Sequence, residues 1–290
     1  AEPRAVANFT PSHLLPHRLL RDKLNANTAD VVIIGAGIVG ASCAWHMASR
    51  GLKVIVLEQE NAPAMGSTGK SAAGVRVQFT TRANIELSMY SLPVYREFRE
   101  RHGYEVGYQD IGYLLLVPQD KWKGHLEAVE LQRSLGAPVD VLDPEEAQRY
   151  VSFETDGLAG ATYGPWDGVI DPHMATHAWV SMGRLLGVDY HLNAPVTAIV
   201  REGMGWVIRS GDTVFQSPYV VNAAGAWSGA VGALAKLEVP VGPKRIQIFL
   251  SAPIEDRRTY PLTIDLTTGV YLRSEGERVL FGLDDLDQDF

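Results

Sequence analysis

The sequence predicts an α/β fold with a parallel β-sheet at its centre and antiparallel strands later in the chain. Two β-branched apolar runs, at 31–34 and 53–57, are typical of buried parallel strands. The alanine-rich stretch between them, which extends to about Ser49, predicts a helix. Short segments separated by glycine-rich turns predict strands at 196–201, 205–210, 213–216 and 219–221, a meander that returns to a strand ending in small residues.

Composition describes an ordinary globular protein with an acidic balance. The 290 residues include 26 Lys and Arg against 34 Asp and Glu, a formal net charge of −8, and 46% are apolar. These values exclude a disordered or fibrous chain. Nucleic acid is excluded as a partner because its phosphate backbone requires a basic surface, and no basic block occurs. Cys43 is the single cysteine, so neither an internal disulfide nor a cysteine zinc cluster is predicted.

The apolar stretch at 31–48 is long enough to be considered as a membrane span. Three glycines divide it, and Ser42 and His46 would be costly in lipid, so we expect no membrane span. Residues 1–28 lack the apolar block of a signal peptide and are predicted as an N-terminal extension. Together these features predict a cytoplasmic protein.

The first strand is followed by a glycine motif whose spacing is typical of dinucleotide binding. Gly35 makes the tight turn, Gly37 lets a pyrophosphate approach the backbone, and Gly40 lets helix and strand pack closely. The helix N-terminus supplies N–H groups for the phosphates. Glu58, at the end of the second strand, can accept hydrogen bonds from the adenosine ribose. An acidic residue there disfavours NADP and leaves FAD and NAD open.

Residues 64–71, AMGSTGKS, fit a relaxed phosphate-loop pattern. A phosphate loop connects a buried strand directly to a helix, whereas polar residues intervene here and 72–79 lack a helical period. A nucleotide triphosphatase is therefore disfavoured. The small residues instead predict a loop that lies against the cofactor.

Four segments resemble those of FAD-dependent amino acid and amine oxidoreductases, a family that includes glycine oxidase, sarcosine oxidase and the β subunit of proline dehydrogenase. They are the glycine motif with Glu58, GSTGKSAAGVRVQF at 66–79, WDGVIDP at 166–172 and VVNAAGAW at 220–227. The resemblance extends from about Asp30 to the end of the chain. Its motifs are specific to the family and not to one substrate.

The resemblance implies a FAD-binding Rossmann-like domain interleaved with an antiparallel-sheet α+β substrate domain. We expect the FAD-binding domain at 29–90 and 165–232 and the substrate domain at 91–164 and 233–290, both incomplete. Asp171 and Pro172 predict the cap and first position of a helix that runs to about Leu186. Other predicted elements are an amphipathic segment at 83–102 interrupted at Pro93, helices at 121–135 and after Asp143, and strands at 112–117, 245–250, 269–272 and 278–281.

The family pattern also implies which residues contact FAD. They lie in the glycine motif, at the end of the second strand, in the loop after it and in the later strand and turn: Gly35, Gly37, Ile38, Val39, Gly40, Glu58, Gln59, Gly66, Ser67, Thr68, Lys70, Ser71, Ala72, Ala73, Gly74, Val196, Ala223, Ala224, Gly225 and Trp227.

The implied reaction is oxidation of a substrate C–N bond by hydride transfer from carbon to flavin N5, giving an imine that water hydrolyses. Arg76 matches the arginine that the sarcosine oxidase branch uses for the substrate carboxylate, and its planar fork suits that task. Tyr271 resembles the tyrosine that lines the substrate cavity on that branch. His173 and His177 lie one helical turn apart without a third ligand, so we expect no metal.

Two departures from the family pattern leave the electron acceptor and the completeness of the site open. Monomeric sarcosine oxidases carry an oxygen-activating lysine on a late strand, and the comparable segment 278–282 has none. The acceptor is therefore either oxygen or another redox protein. The family continues past Phe290 with a third flavin-binding segment, so we expect a further segment or chain to complete the site and this chain alone to bind FAD poorly.

Three alternatives remain at the level of sequence. One is a flavin-dependent 2-hydroxy acid or glycerol phosphate dehydrogenase on a related fold. Another is a non-catalytic assembly factor that retains flavin binding. The third is an NAD-binding Rossmann enzyme.

Overall fold

A computed structural model describes residues 27–256 and 258–283. The predicted N-terminal extension, apart from residues 27 and 28, lies outside this range, as do residues 284–290.

A parallel sheet forms the centre of the nucleotide-binding part of the fold. Its strands are β1 (Val31–Ile34), β2 (Val54–Leu57), β8 (Asp189–His191) and β12 (Tyr219–Asn222), in the order β12-β1-β2-β8. Every residue of β1 and β2 is buried, as expected for a parallel sheet that is covered on both faces. The strands predicted at 31–34 and 53–57 are confirmed.

Helix α1 (Ile38–Ala48) covers one face of this sheet, with Ala44 and Ala48 against Val31 and Val54. Helix α6 (Pro172–Leu185) packs against the outer side of α1. The predicted α6 cap is confirmed, because Asp171 Oδ1 accepts a hydrogen bond from the Met174 N–H at 2.8 Å. Small alanine side chains on α1 allow these layers to approach closely.

The predicted meander covers the other face. It consists of β9 (Ala198–Glu202), β10 (Gly205–Ser210) and β11 (Thr213–Ser217), which pair in the order β11-β10-β9. Ile199, Ile208 and Phe215 pack against Val32 and Ile55 of the parallel sheet. The chain then enters β12 beside β1 and continues through a single 3-10 turn, Gly225–Trp227, into α7 (Ser228–Leu234).

The largest sheet draws its seven strands from two separate stretches of chain. In spatial order they are β13 (Ile248–Leu250), β16 (Arg278–Leu283), β15 (Val270–Glu275), β14 (Leu262–Asp265), β4 (Tyr113–Pro118), β6 (Leu158–Gly164) and β5 (Asp140–Leu142). All neighbours are antiparallel except β14 and β4. Helix α4 (Gln119–Ser134) lies over one face, where Trp122 contacts Gly160, and α5 (Pro144–Ala147) lies over the other.

A short two-stranded ribbon connects these two parts of the structure. It pairs β3 (Gly74–Val75) with β7 (Gly168–Val169). The ribbon packs on the seven-stranded sheet, because Gly74 lies directly against the Tyr113 hydroxyl and close to Leu262. The loop 64–79, which contains β3, is thereby held between the parallel sheet and the seven-stranded sheet.

The segment around Pro93 corrects one prediction. Helix α2 (Arg82–Arg96) continues through Pro93, and the break falls at Glu97, before the short helix α3 (Phe98–His102). A proline removes one helical hydrogen bond and bends a helix, but it does not always end one. The Glu97 N–H donates to the Pro93 carbonyl at 3.0 Å, so helical bonding resumes directly after the proline.

The stretch 31–48 is divided between β1 and α1, as expected from its glycines. Among the described residues, no helix has the length and apolar character required to cross a membrane.

Candidate functional site

A groove lies at the carboxyl ends of β1, β2 and β12, beside the N-terminus of α1. Its volume is about 350 Å³. Strand ends, the glycine turn, part of the loop 64–79 and residues 194–196 and 222–231 contribute to its walls. This edge of an open parallel sheet is where ligands bind, because the strand ends and helix N-termini leave polar backbone groups there.

The glycine turn has the close packing that its motif predicts. Gly35 has φ = +104°, and a Cβ added to it would lie 2.5 Å from the Ala223 carbonyl oxygen. A Cβ on Gly40 would collide with the Gly35 carbonyl oxygen. Gly37 gives α1 no side-chain cap, and the Ile38 N–H donates to Thr68 Oγ1 at 3.2 Å. An N-terminus of this kind can bind a phosphate group.

The Glu58 carboxylate is fixed at the end of β2 and is only 9% exposed. Its Oε2 accepts a hydrogen bond from the Ala36 N–H at 2.6 Å, and its Oε1 accepts one from the Glu60 N–H at 3.0 Å. Glu58 also lines the groove. A carboxylate held in this way can accept further hydrogen bonds from ribose hydroxyls.

The opposite wall is formed by the turn after β12. Asn222 shapes this turn, because its Nδ2 donates to the Ser228 carbonyl at 2.8 Å and its Oδ1 accepts from the Ala224 N–H at 3.3 Å. The Trp227 side chain faces Gly66, where an added Cβ would lie 3.4 Å from the indole ring. The later turn and the loop 64–79 therefore approach one another across the groove.

The loop 64–79 joins this groove to a second cavity. Residues 64–68 line the groove, whereas 74–76 and 79 line the second cavity, whose volume is about 400 Å³. We call it the Arg76 cavity; it is lined by Gly74, Val75, Arg76, Phe79, Ser88, Ser91, Leu92, Tyr95 and Tyr113. Ala64 and Ala73 both adopt positive φ, at 64° and 54°, so the loop turns sharply near each end of the connection.

The Arg76 guanidinium lies between two aromatic rings. Its central carbon is 4.7 Å from the centroid of Phe79 and 5.6 Å from that of Tyr113. Among the residues that the structure describes, Arg76 forms no salt bridge, and no carboxylate lines its cavity. Burial raises the pKa of Tyr113 well above its usual range, so the phenol is neutral. An arginine in this setting can bind an incoming carboxylate.

Tyr271 does not line the Arg76 cavity, so the structure does not bring these two predicted residues together there. Its ring lies over Gly282 of the neighbouring strand β16. Arg273 is on the same face of β15 two residues later, and its Nε donates to the Ala72 carbonyl at 3.0 Å. The contact from β15 to the loop is thus made by Arg273, a buried residue that sequence reasoning missed.

Most of the predicted cofactor residues line the groove: Gly35, Gly37, Val39, Glu58, Gln59, Gly66, Ser67, Thr68, Val196, Ala223, Ala224, Gly225 and Trp227. Ile38 and Gly40 do not, because Ile38 packs in the core cluster shared with α6 and Gly40 packs against the Gly35 carbonyl. Lys70, Ser71, Ala72 and Ala73 also lie outside its walls, because the lining part of the loop ends at Thr68, and Gly74 lines the Arg76 cavity instead.

Several groove residues were not predicted: Ile34, Leu57, Glu60, Ala64, Met65, Ala194, Pro195, Asn222, Ser228 and Val231. Ile34, Leu57 and Asn222 end their parallel strands, so the strand-end rule alone could have found them. Ala194 and Pro195 carry no local signal. They reach the groove because β8 pairs beside β2, which a single sequence does not reveal.

Comparison with known proteins identifies the family. The family model described as "FAD dependent oxidoreductase" matches residues 30–290. The chain therefore belongs to this family of FAD-dependent oxidoreductases, and the NAD-binding alternative is set aside.

The chain is similar to part of several larger proteins. It is 31% identical over 265 residues to human mitochondrial dimethylglycine dehydrogenase, covering 88% of this chain and 30% of that protein. It is 29% identical over 315 residues to the FAD-dependent oxidoreductase domain-containing protein 1 of Xenopus laevis, covering 92% of this chain and 60% of that protein. The chain thus spans less than two thirds of the length of these relatives.

Solved structures show the same fold. L-proline dehydrogenase from P. horikoshii superposes with a TM-score of 0.82 at 27% identity, covering 89% of this chain and 70% of that one. Glycine oxidase from Geobacillus kaustophilus gives 0.75 at 24% identity, covering 88% and 70%. The predicted fold class, a Rossmann-like FAD-binding part interleaved with an antiparallel-sheet α+β part, is confirmed.

FAD is the cofactor of this family, as predicted, and the groove fits it. A side chain at Gly37 would fill the cradle, since its Cβ would lie 3.0 Å from Thr68 Oγ1. The start of α1 suits the pyrophosphate, and the Glu58 carboxylate suits the ribose.

Proposed function

We propose that this chain carries the FAD and substrate sites of an oxidoreductase that oxidises the C–N bond of a small amino acid or secondary amine of the glycine, sarcosine or proline type. The names of similar proteins include dimethylglycine dehydrogenase, sarcosine dehydrogenase, L-proline dehydrogenase and glycine oxidase. The single observation that carries the proposal is Arg76, which forms no salt bridge with any described carboxylate and lies in a cavity reached by the same loop that lines the FAD groove.

Arg76 is proposed to bind the substrate carboxylate through its two parallel N–H donors. Phe79 and Tyr113 support this role because their rings restrict the guanidinium and keep water from its faces. When bound, FAD would supply the acceptor for the hydride that leaves the substrate carbon as the C–N single bond becomes C=N. Hydrolysis of the C=N bond would give a carbonyl compound and ammonia or an amine, and in proline the amine would stay on the same product because its nitrogen is part of the ring.

No Asp, Glu, His or Lys lines the Arg76 cavity, so its described walls offer no strong base for a substrate ammonium. The amine is therefore expected to react in its neutral form. Since a protonated amine holds no lone pair to form C=N, kcat/KM should rise with pH towards the pKa of the substrate amine.

Anaerobic flavin reduction tests the proposal. FAD-loaded protein is mixed with sarcosine, dimethylglycine, L-proline or glycine, and with L-lactate or glycerol 3-phosphate, while the visible flavin absorption is followed. We expect bleaching by one or more of the amines. Arg76→Met should raise KM for a carboxylated amine by about 100-fold, because a charge-assisted bidentate pair contributes roughly 3 kcal/mol.

Two controls accompany this variant. Arg82→Met removes an exposed arginine at the start of α2 that pairs with Glu86 on the same helix, and it should leave KM unchanged. Pyrrolidine is proline without its carboxylate, so Arg76→Met should not change the rate at which pyrrolidine bleaches the flavin. Bleaching only by lactate or glycerol 3-phosphate would assign the hydroxy-acid alternative, and bleaching by no compound would favour a non-catalytic flavin-binding assembly factor.

We further propose that a redox protein rather than oxygen accepts the electrons. The absence of lysine in 278–282 and the dehydrogenase names of the relatives support this choice. Rapid reoxidation of the reduced protein by air would contradict it. The cytoplasmic location and completion of the flavin site by a further segment or chain remain predictions.

A further inference from the structure

The backbone next to Arg76 is tied to a buried carboxylate. Asp167 has no exposed surface, and it precedes β7 in the segment 166–172. Its Oδ1 accepts a hydrogen bond from the Val77 N–H at 2.7 Å, and its Oδ2 accepts one from Gln78 Nε2 at 3.0 Å. One carboxylate therefore holds both residues that follow Arg76.

Each hydrogen bond around Gln78 has a defined donor and a defined acceptor. Gln78 Nε2 also donates to the Tyr113 carbonyl at 3.2 Å, and Gln78 Oε1 accepts from Thr162 Oγ1 at 2.9 Å. Because the Thr162 hydroxyl uses its proton on Gln78, His125 Nε2, which lies 2.9 Å from Thr162 Oγ1, must be the donor in that contact. Burial lowers the pKa of His125, which is consistent with a neutral ring that carries its proton on Nε2.

A chain of donors thus leads from helix α4 through β6 to the Asp167 carboxylate. Hydrogen bonds aligned in this way polarise and strengthen one another in a buried setting. Gln78 cannot reverse its amide, because the oxygen would then face the Tyr113 carbonyl. The network accordingly specifies an acceptor, and not a donor, at the position of Asp167 Oδ2.

We propose that Asp167 is a positioning residue for substrate recognition: by fixing Val77 and Gln78, it fixes the backbone that presents Arg76 to its cavity. This rests on the proposed function, in which Arg76 binds the substrate carboxylate. Asp167 does not line the Arg76 cavity, so it acts through the loop and not by contact with the substrate.

A purely electrostatic role and a positioning role for Asp167 predict opposite effects of Asp167→Asn on carboxylate binding. Asp167 interacts electrostatically with Arg76. If it acted only through its charge, Asp167→Asn would remove a competing anion and tighten carboxylate binding. If it positions Arg76, the substituted amide has only one acceptor oxygen for two donors, so its NH2 group opposes either the Val77 N–H or Gln78 Nε2. The loop then shifts, and carboxylate binding weakens.

The test is a double-mutant cycle in the FAD-loaded protein, with acetate as the probe and the flavin absorption difference as the signal. We expect Asp167→Asn to weaken acetate binding about tenfold, the scale on which small displacements of a positioned group act. In an Arg76→Met background the same substitution should have no further effect. Unchanged or tighter binding by folded Asp167→Asn protein, or an equal effect in both backgrounds, would overturn the proposal.

A second pair of variants covers the case in which Asp167→Asn does not fold. Thr162→Val removes the donor to Gln78 while leaving Asp167 in place, and Thr162→Ser keeps that hydroxyl. Weaker acetate binding in the valine variant, with restored binding in the serine variant, supports positioning. Equal binding in the two contradicts it.

A failure of the proposed function would give a different experimental result. If wild-type protein and Arg76→Met bind acetate equally, the arginine clamp is wrong. Positioning is then decided by amide hydrogen exchange over residues 74–79, which Asp167→Asn should accelerate. Unchanged exchange in that segment would reject the positioning role independently of any substrate.

Discussion

At the scale of single residues, Asp167 shows how burial and hydrogen bonding oppose one another. Burial raises its pKa to about 6, against the lowering effect of the bonds from Gln78 and Val77 and of two arginines. The titratable side chains that face it are basic or phenolic: Arg76, Arg96, Tyr108, Tyr113 and Tyr163. Desolvation therefore outweighs favourable charge at this site.

This pKa predicts the pH dependence of stability. The native carboxyl takes up its proton at a higher pH than the unfolded one, whose ordinary value is 3.8. The contribution of Asp167 to the free energy of unfolding should therefore increase as pH falls from about 6 towards 4, and be lost above that window. When the free energy of unfolding, measured with urea, is plotted against pH, the slopes for wild type and Asp167→Asn should differ by up to about 1.4 kcal/mol per pH unit. Parallel profiles would contradict the raised pKa.

Gly40 and Gly124 are both helical glycines, and the same substitution at each can be compared. A Cβ at Gly40 would strike the Gly35 carbonyl, whereas nothing lies within 4 Å of one at Gly124 in α4. Gly40→Ala should lower the free energy of unfolding by about 1–3 kcal/mol and weaken FAD binding, because α1 must move away from the turn. Gly124→Ala should raise stability by roughly 0.5–1 kcal/mol and leave FAD binding unchanged. Thermal melts and flavin titration measure both, and equal effects would show that the tight turn is not required.

At the scale of elements, the start of α6 was predictable because its signals are local. Asp171 caps the helix and Pro172 occupies its first position, both in the segment that includes Asp167. Asp171→Ala should reduce the free energy of unfolding by about 1 kcal/mol through loss of the bond to the Met174 N–H. Asp171→Asn keeps an acceptor and should cost only a few tenths. An alanine variant as stable as the asparagine variant in urea would refute the cap.

Strand β6 was not predicted because its sequence carries no clear alternation, and β14, LTID, alternates over only four residues. β6 reads LAGATYG, and its Gly160 is packed beneath Trp122 of α4. It becomes a strand because β4 and β5 pair on either side of it, which is a long-range condition. Strands rich in β-branched residues, such as β1 and β2, could be predicted without knowledge of their pairing partners.

At the scale of the whole molecule, the FAD groove is assembled from stretches that are far apart in sequence. The turn 35–37, the loop 64–68 and the residues 222–231 meet only because β12 pairs with β1. FAD should therefore stabilise the chain by binding the native state alone, by about 2.7 kcal/mol at a hundredfold excess over Kd. Hydrogen exchange should slow in these three stretches and not in β16. Protection spread evenly over the chain would contradict a ligand confined to this groove.

The contact between the loop 64–79 and the seven-stranded sheet also joins residues that are far apart in sequence. Arg273 of β15 binds the Ala72 carbonyl, and Gly74 packs on Tyr113 of β4. These contacts hold the loop 64–79 so that its first part faces the FAD groove and its last part faces the Arg76 cavity. Neither residue pair is adjacent in sequence, so no local pattern predicts them.

By itself the sequence determined strands β1 and β2, the glycine turn, the capped helix α6, the meander and the family, because each depends on residues close together in the chain. Tertiary structure alone decided that Tyr271 lies over Gly282 instead of lining the Arg76 cavity, that Arg273 reaches the loop, and that Asp167 holds the backbone after Arg76. The physical reason is that side-chain direction within a strand follows from its pairing register and from what packs above it. Arg273 meets Ala72 across 201 positions and Asp167 meets Val77 across 90, whereas the direction of Tyr271 follows from its pairing with Gly282 of β16.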